Sequence, residues 1–172
     1  DNVKIFDIGT GSGCIAIALK KDLPFAEMYA CDVSKKALEI AQKNALANQT
    51  DIGLLHIDFL NTSHWEHLPP FDIIVSNPPY IPLKDKDTMR PNVVQYEPHL
   101  ALFVENNDPL IFYNAIADFA KEKLNSGGSI FAELHECLAK DVQKLFAEKG
   151  FDNIQIKKDM QGKDRMIRVN LK

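Results

Sequence analysis

The chain has 172 residues, 45% of them hydrophobic, and its 20 basic and 24 acidic residues give a net charge of −4. This length suits one globular domain with a sizeable core, and the negative charge excludes a global positive field that would attract nucleic acid. No apolar run of about 18 residues predicts a membrane span. Three scattered cysteines indicate reduced thiols in a cytoplasmic protein.

The first half of the chain alternates apolar, strand-like runs with helical segments. Strands are predicted, in chain order, at Val3–Ile8, Met28–Cys31, Gly53–Ile57 and Phe71–Val75. The first strand leads through the glycine-rich turn Gly9–Gly13 into a helix from about Cys14 to Lys21. A second helix begins after Ser34, whose hydroxyl can cap its N-terminus, and runs to about Ala47.

The second half repeats this alternation and ends in two β segments. Pro109 fits the first turn of a helix to about Leu124, and Gly127–Gly128 are predicted to break the chain before the next strand. Gly150 is typical of a helix C-terminal cap. The remaining elements are the strand Ser129–Leu134, the helix Cys137–Lys149 and the strands Asn153–Lys157 and Met166–Leu171. Strands that alternate with helices predict a mostly parallel sheet with helices on both faces, extended by an antiparallel hairpin.

The stretch DIGTGSG, residues 7–13, follows the first strand and opens the first helix. Its glycines allow a ligand to approach the backbone, and the helix N-terminus offers free N–H groups. Asp32 ends the next strand, where a carboxylate can accept hydrogen bonds from both ribose hydroxyls. Asp58 ends the third strand beside Phe59, a pair that suits the edge and the face of adenine. The pattern predicts NAD or S-adenosylmethionine as a ligand, and a tight turn without a ligand is the alternative.

The fourth strand ends in Asn77-Pro78-Pro79-Tyr80. The Asn77 side-chain oxygen and the Pro78 carbonyl are two acceptors, which the prolines hold in place without adding N–H groups. The Tyr80 ring offers a face for stacking. Two acceptors and a ring suit a planar NH2 group whose delocalised lone pair must be directed at a sulfonium methyl. This interpretation favours S-adenosylmethionine over NAD, and a rigid strand-to-loop turn is the alternative.

The segment Ile81–Asp108 follows this motif and lacks regular periodicity. A connection of this length in a compact domain is usually functional or disordered. We interpret it as a lid over the site, and a mobile surface excursion is the alternative.

Four stretches carry a family resemblance: DIGTGSG, VSNPPYIP, EPHLAL and GKDRM, in this order. Together they resemble the release-factor glutamine methyltransferases of the HemK/PrmC type, across essentially the whole chain. The resemblance implies a class I, seven-stranded Rossmann-like α/β fold with S-adenosyl-L-methionine as the cofactor. It also implies methylation of the side-chain amide nitrogen of glutamine in the Gly-Gly-Gln motif of class I peptide chain release factors.

The resemblance and the residue pattern described above together predict roles for individual residues. The catalytic residues are Asn77, Pro78 and Tyr80. The cofactor-binding residues are Asp7, Gly9, Thr10, Gly11, Ser12, Gly13, Asp32, Asp58, Phe59 and Asn77. The substrate-binding residues are Asn77, Pro78, Pro79 and Tyr80, with Glu97 expected to order the lid.

Two features depart from the resembled family. Phe59 stands where a tryptophan is common, and the N-terminal helical domain that helps to hold the release factor precedes the first strand in the family but not in this sequence. We therefore expect residues 1–172 to be a methyltransferase catalytic domain with weakened protein docking.

Several alternatives stay open from sequence alone. An amino-methyltransferase acting on adenine or guanine in DNA or RNA would need a basic face, which the sequence does not show. A non-catalytic S-adenosylmethionine-binding module would not need the intact Asn77–Tyr80 motif. His64, Glu66 and His67 form a weak metal pattern, which we interpret as surface residues, so no metal is expected. Glu133 and His135 lie where they can line the pocket or serve as caps.

Overall fold

The computed structural model describes residues 2–79, 81–82, 103–104 and 108–171. The strands are β1 (Lys4–Ile8), β2 (Glu27–Asp32), β3 (Gly53–His56), β4 (Phe71–Ser76), β5 (Ile81–Pro82), β6 (Phe103–Val104), β7 (Leu124–Glu133), β8 (Asp152–Lys158) and β9 (Asp164–Asn170). The α-helices are α1 (Cys14–Asp22), α2 (Lys35–Ala47), α3 (Ile111–Lys123) and α4 (Ala139–Glu148). Short 3-10 turns span Thr62–Trp65 and Glu136–Leu138.

Seven of the described strands form one sheet in the order β3-β2-β1-β4-β7-β9-β8. The first five are parallel to one another, and β9 runs antiparallel to both β7 and β8. The short strands β5 and β6 pair in parallel separately. The predicted fold is confirmed: a mostly parallel seven-stranded sheet with an antiparallel hairpin at one edge.

The central strand β1 is apolar on both faces because helices cover both faces of the sheet. Ile5 and Phe6 point to opposite sides and both are fully buried. On the Ile5 side, Ala16 of α1 joins a small apolar cluster. On the Phe6 side, Ile116 of α3 and Phe146 of α4 belong to a much larger one.

Two predicted caps are confirmed by their hydrogen bonds. Ser34 is the N-cap of α2, and its hydroxyl accepts a hydrogen bond from the Ala37 N–H at 3.3 Å. Gly150 follows α4 with a φ of +86°, which favours glycine. Its N–H donates to the Ala147 carbonyl, and the Phe151 N–H donates to the Phe146 carbonyl, both at 3.0 Å. The rings of these two phenylalanines meet edge to face at 5.4 Å, which completes a Schellman motif.

Two predicted boundaries are wrong in the second half of the chain. Helix α3 begins at Ile111, so Pro109 lies in the turn before it. Gly127–Gly128 lie inside β7, which starts at Leu124 directly after α3. Gly127 has a φ of +77°, and the register between β4 and β7 shifts beside it, so the glycine pair forms an irregularity within the strand.

Helix α4 also begins later than the predicted Cys137. A 3-10 turn over Glu136–Leu138 precedes Ala139, where the α-helix starts. The remaining element boundaries differ from prediction by one or two residues, which is ordinary fraying at element ends.

Candidate functional site

The carboxyl ends of β1, β2, β3, β4 and β7 lie at one edge of the sheet, because these strands are parallel. Ile8 pairs with Cys31 on one side and with Ser76 on the other, and Ser76 also pairs with Ala132. Adjacent strands lie about 4.8 Å apart. The register therefore brings the turn after β1, the Asp32 region and Asn77 together at the edge where open α/β sheets bind ligands.

The turn Gly9–Gly13, here called the glycine loop, is held against β2. The N–H groups of Gly9 and Thr10 both donate to the Cys31 carbonyl at 2.9 Å. A Cβ added to Gly13 would lie 3.1 Å from the Ala41 Cβ, so glycine is needed there for α1 to approach α2. A Cβ added to Gly11 would meet nothing within 4 Å, which leaves open space beside the loop for a ligand.

Asp32 connects the glycine loop to the start of α2. Its Oδ2 accepts the Gly11 N–H at 2.9 Å, and its Oδ1 accepts the Ser34 N–H at 2.8 Å. Each carboxylate oxygen keeps a further lone pair. The side chain can therefore accept two hydroxyl groups while it keeps its structural bonds, a double role that the sequence pattern did not predict.

Asp7 lies beneath the glycine loop and is fully buried. Its Oδ2 accepts the Thr10 hydroxyl at 2.7 Å, whereas its Oδ1 is buried without a hydrogen-bond partner among the described residues. Burial raises the pKa of this carboxyl to about 6, against the opposing effect of the Thr10 hydrogen bond. Asp7 thus supports the loop from below, and direct contact with a ligand stays a prediction for this residue.

The raised pKa of Asp7 predicts a pH-dependent stability. The folded state holds the proton more tightly than the unfolded state, in which the pKa is near 3.8. The stabilisation is therefore complete below about pH 4 and is lost as the pH rises to about 6, on the order of 3 kcal/mol. Asp7→Asn should remove this component while an amide oxygen still accepts the Thr10 hydroxyl.

Denaturant unfolding of both proteins between pH 4 and pH 7 measures this difference. The exposed Asp51→Asn substitution provides the control, because it removes a carboxylate without touching the loop. Parallel pH profiles for the wild type and Asp7→Asn would contradict the prediction.

The two residues after β3 take different positions. Asp58 is exposed, and its Oδ1 accepts the Leu60 N–H at 3.0 Å. Phe59 is only 5% exposed, and its ring packs against Phe119 and Trp65 with both centroids at 5.4 Å. This packing argues against the interpretation of the Phe59 ring as a stacking face for adenine. The Phe59 ring belongs to the core, whereas Asp58 presents its carboxylate at the surface.

Sequence reasoning also missed Trp65 as a partner of this segment. Its Nε1–H donates to the Phe59 carbonyl at 2.9 Å, and the indole is buried. The signal was the tryptophan itself, because a buried indole needs an acceptor for its N–H.

At the end of β4, the exposed side-chain amide of Asn77 follows the buried Ser76. The Ser76 hydroxyl donates to the Ile8 carbonyl at 2.8 Å, which ties β4 to β1. Asn77 is exposed, Pro78 is buried and Pro79 is half-buried. The exposed Asn77 side chain therefore lies at the carboxyl edge of the sheet, and the buried residues Ser76 and Pro78 hold its backbone in place. Tyr80, Glu97 and most of the proposed lid fall outside the described residues, so their roles stay predictions.

The family model for the methyltransferase small domain matches residues 1–96. The chain belongs to this methyltransferase family. The release factor glutamine methyltransferase of Flavobacterium psychrophilum is 49% identical over 99% of this chain, which covers 59% of that relative. The enzyme of the same name from Lactococcus lactis is 44% identical over 98% of this chain, which covers 61% of it. The chain thus spans about three fifths of the length of these curated relatives.

Solved structures support the fold. A methyltransferase from Pyrococcus furiosus superposes on 98% of this chain with a TM-score of 0.70 and 20% identity, and the match covers 74% of that protein. At the level of the family, the methyltransferase fold and S-adenosylmethionine as the cofactor are confirmed.

The other candidate residues of the chain have structural contacts. His135 Nδ1 accepts the Cys137 N–H at 3.3 Å and so caps the 3-10 turn before α4. The Glu133 carbonyl accepts the Tyr113 hydroxyl at 2.9 Å. His64 Nδ1 lies 2.9 Å from the Asp58 carbonyl oxygen. Among the described residues, no three His, Cys, Asp or Glu side chains are grouped as metal ligands. None of the described helices is both long and apolar enough to cross a bilayer.

Proposed function

We propose that this domain transfers a methyl group from S-adenosylmethionine to the side-chain amide nitrogen of glutamine in the Gly-Gly-Gln motif of class I release factors. The observation that carries the proposal is the exposed Asn77 amide, anchored by buried Pro78, one strand away from the glycine loop. The identities of 49% and 44% to enzymes named release factor glutamine methyltransferase support the choice of substrate.

The cofactor side of the proposed site fits a nucleoside. Open space beside Gly11 leaves room for the ligand, and the second lone pairs of Asp32 suit the two ribose hydroxyls. The exposed carboxylate of Asp58 suits the amino edge of a base. When bound, S-adenosylmethionine supplies an electrophilic methyl group on a sulfonium. The chain's own residues position the nucleoside and leave the acceptor side open.

On the acceptor side, Asn77 and Pro78 orient a weak nucleophile. An amide nitrogen reacts poorly because its lone pair is delocalised into the carbonyl. Hydrogen bonds from its two N–H groups to the Asn77 Oδ1 and the Pro78 carbonyl favour a more tetrahedral nitrogen. Its lone pair then points toward the methyl group, and such positioning supplies much of the rate. After transfer, the nitrogen loses a proton to solvent or to a nearby acceptor. Tyr80 is proposed to stack on the planar amide.

Asp32→Ala is expected to weaken cofactor binding by roughly 1–3 kcal/mol, the scale of hydrogen bonds lost to a charged group. The substitution removes the acceptor for two hydroxyls and also frees the N–H groups of Gly11 and Ser34. Calorimetric titration with S-adenosylmethionine and with its demethylated product measures the change, and exposed Asp51→Ala is the control. Saturable binding of NAD to the wild type, with no response to the other two ligands, would overturn the site assignment.

A radiolabelled methyl-transfer assay tests the proposed function directly. The substrates are a class I release factor, the same factor with the Gly-Gly-Gln glutamine replaced by alanine, duplex DNA and ribosomal RNA. Label on the first substrate alone supports the proposal. Label on DNA or RNA favours the nucleic-acid amino-methyltransferase alternative, and cofactor binding without any transfer favours a non-catalytic module.

Residues 1–172 are proposed to form the catalytic domain, acting in the cytoplasm, where release factors work. The remaining two fifths of the longer relatives are proposed to add contacts with the release factor. A Gly-Gly-Gln loop alone buries little area, and a small interface must still offset the loss of freedom on association. The docking of intact release factor is therefore proposed to be weaker for this domain than for the longer relatives.

A further inference from the structure

The turn between β8 and β9, residues Asp159–Lys163, is held rigidly by one carboxylate. The Asp159 Oδ1 accepts the N–H groups of Gln161 and Lys163 at 2.9 and 3.0 Å, and its Oδ2 accepts the Arg165 Nε–H at 3.3 Å. Two backbone bonds close the turn, one between Asp159 and Lys163 at 2.8 Å and one from the Gly162 N–H to the Asp159 carbonyl at 3.0 Å. Below, this segment is called the β8–β9 turn.

The β8–β9 turn and the start of β9 contact the segment that directly follows β7. The Lys163 Nζ and the Glu136 Oε1 form an ion pair at 2.8 Å, and the Leu134 N–H donates to the Arg165 carbonyl at 2.8 Å. Ala132 of β7 pairs with Ser76 on one side and with Ile167 of β9 on the other. Two strand spacings, about 10 Å, therefore separate the β4 and β9 backbones at this level. The turn stands at the same edge as Asn77, on the side away from the glycine loop.

Met160 projects from this turn with its side chain fully exposed. Three of the basic side chains near it have acidic partners, whereas the exposed Lys157 has no ion pair among the described residues. The ion pairs are Lys158–Asp164, Lys163–Glu136 and Arg165–Asp159. A flexible, polarisable apolar side chain on a rigid turn suits contact with an apolar group of a protein. Binding of a phosphate backbone would instead require several basic groups without acidic partners, and a single lysine does not supply them, so this surface favours a protein over a nucleic acid.

We propose that the β8–β9 turn is a docking element in which Met160 contacts an apolar side chain of the protein substrate beside the methylated residue. This inference rests on the proposed function, because it identifies the occupant as the release factor surface that flanks the Gly-Gly-Gln loop. The turn leads into β9, which lies two strands from β4 in the sheet, at the edge that carries Asn77. In this proposal Asn77 binds the small reacting amide, and Met160 provides a separate apolar contact with the protein that carries the amide.

Met160→Ser tests the contact, and Phe25→Ser is a matched control. Phe25 is 83% exposed but lies between α1 and β2, at the opposite edge of the sheet. Steady-state kinetics on intact release factor should show a KM about 5- to 10-fold higher for Met160→Ser, with kcat unchanged, the effect of losing one interface contact. Cofactor affinity and melting temperature should not change in either variant, and Phe25→Ser should match the wild type.

A second variant tests the anchoring of the turn. Glu136→Gln removes the charge that pairs with Lys163 and should raise KM by about 2- to 5-fold, the range of an exposed ion pair. Combined with Met160→Ser it should add less than its separate effect, because both changes act through one contact.

The outcomes separate two failures. If the wild type methylates the release factor and Met160→Ser does so with the same kinetics, the docking element is overturned and the proposed function is left intact. Equal rises in KM for Met160→Ser and Phe25→Ser would also overturn it, because any exposed apolar residue would then suffice. A wild type that transfers no methyl group to release factor would overturn the proposed function itself.

Discussion

Asn77→Ala is expected to lower single-turnover methylation at least about 100-fold, and to lower cofactor affinity by a much smaller factor. Asn77 is exposed at the end of β4 and is proposed to accept a hydrogen bond from the reacting amide. Loss of one fixed acceptor that acts mainly in the transition state removes rate rather than binding. Quenched-flow transfer and calorimetry on the same preparation measure the two quantities.

The control for this experiment is Asn114→Ala, which removes an exposed asparagine from α3. It should leave both quantities at wild-type values. Equal losses of affinity and rate in Asn77→Ala would show that the residue serves the cofactor or the fold, and the role in catalysis would have to be abandoned.

Phe119→Ala is expected to lower the free energy of unfolding by about 3–5 kcal/mol, the usual effect of truncating a buried aromatic side chain. Phe119 is fully buried, and four rings surround it with centroids between 5.3 and 6.1 Å away. These rings are Phe6, Phe59, Trp65 and Phe71. The cluster joins α3 to β1, to β4 and to the segment after β3. Equilibrium denaturation measures the loss, with exposed Phe25→Ala expected within about 0.5 kcal/mol of wild type.

Phe119→Ala should also affect the candidate cofactor site, because Phe119 packs against Phe59. A cavity at Phe119 loosens the packing that fixes the segment carrying Asp58, so cofactor affinity should fall together with stability. Trp65, the single tryptophan of the chain, reports the environment of the cluster by fluorescence. A loss of stability below about 1 kcal/mol would mean that neighbouring side chains fill the cavity.

Much of the fold could be predicted from local chemistry. Ser34 and Gly150 mark helix ends because capping depends on residues close in sequence. The alternation of apolar runs with helices implies a parallel sheet, and parallel strands place their carboxyl ends together. The order of elements along the chain is therefore enough to predict that the glycine loop, Asp32 and Asn77 share one edge of the sheet.

The parts that were not predicted depend on contacts distant in sequence. Gly127–Gly128 resemble a chain break locally, but pairing with β4 carries the strand through them. Phe59 suggested a stacking ring because it follows Asp58, whereas packing against Phe119 of α3 turns it into the core. The lack of a partner for Asp7 Oδ1 among the described residues likewise results from burial by the surrounding fold. None of these outcomes has a signature within a short stretch of sequence.

The two hydrogen bonds to Asp32 also have a consequence for native-state fluctuations. One carboxylate holds the N–H groups of Gly11 and Ser34, which belong to segments 21 residues or more apart along the β1–α1–β2–α2 unit. Neither segment can open fully without releasing a half-buried acceptor, so we expect the two to open together. Amide hydrogen exchange at Gly11 and Ser34 then follows a common opening free energy. The glycine loop is therefore expected to open as slowly as the start of α2.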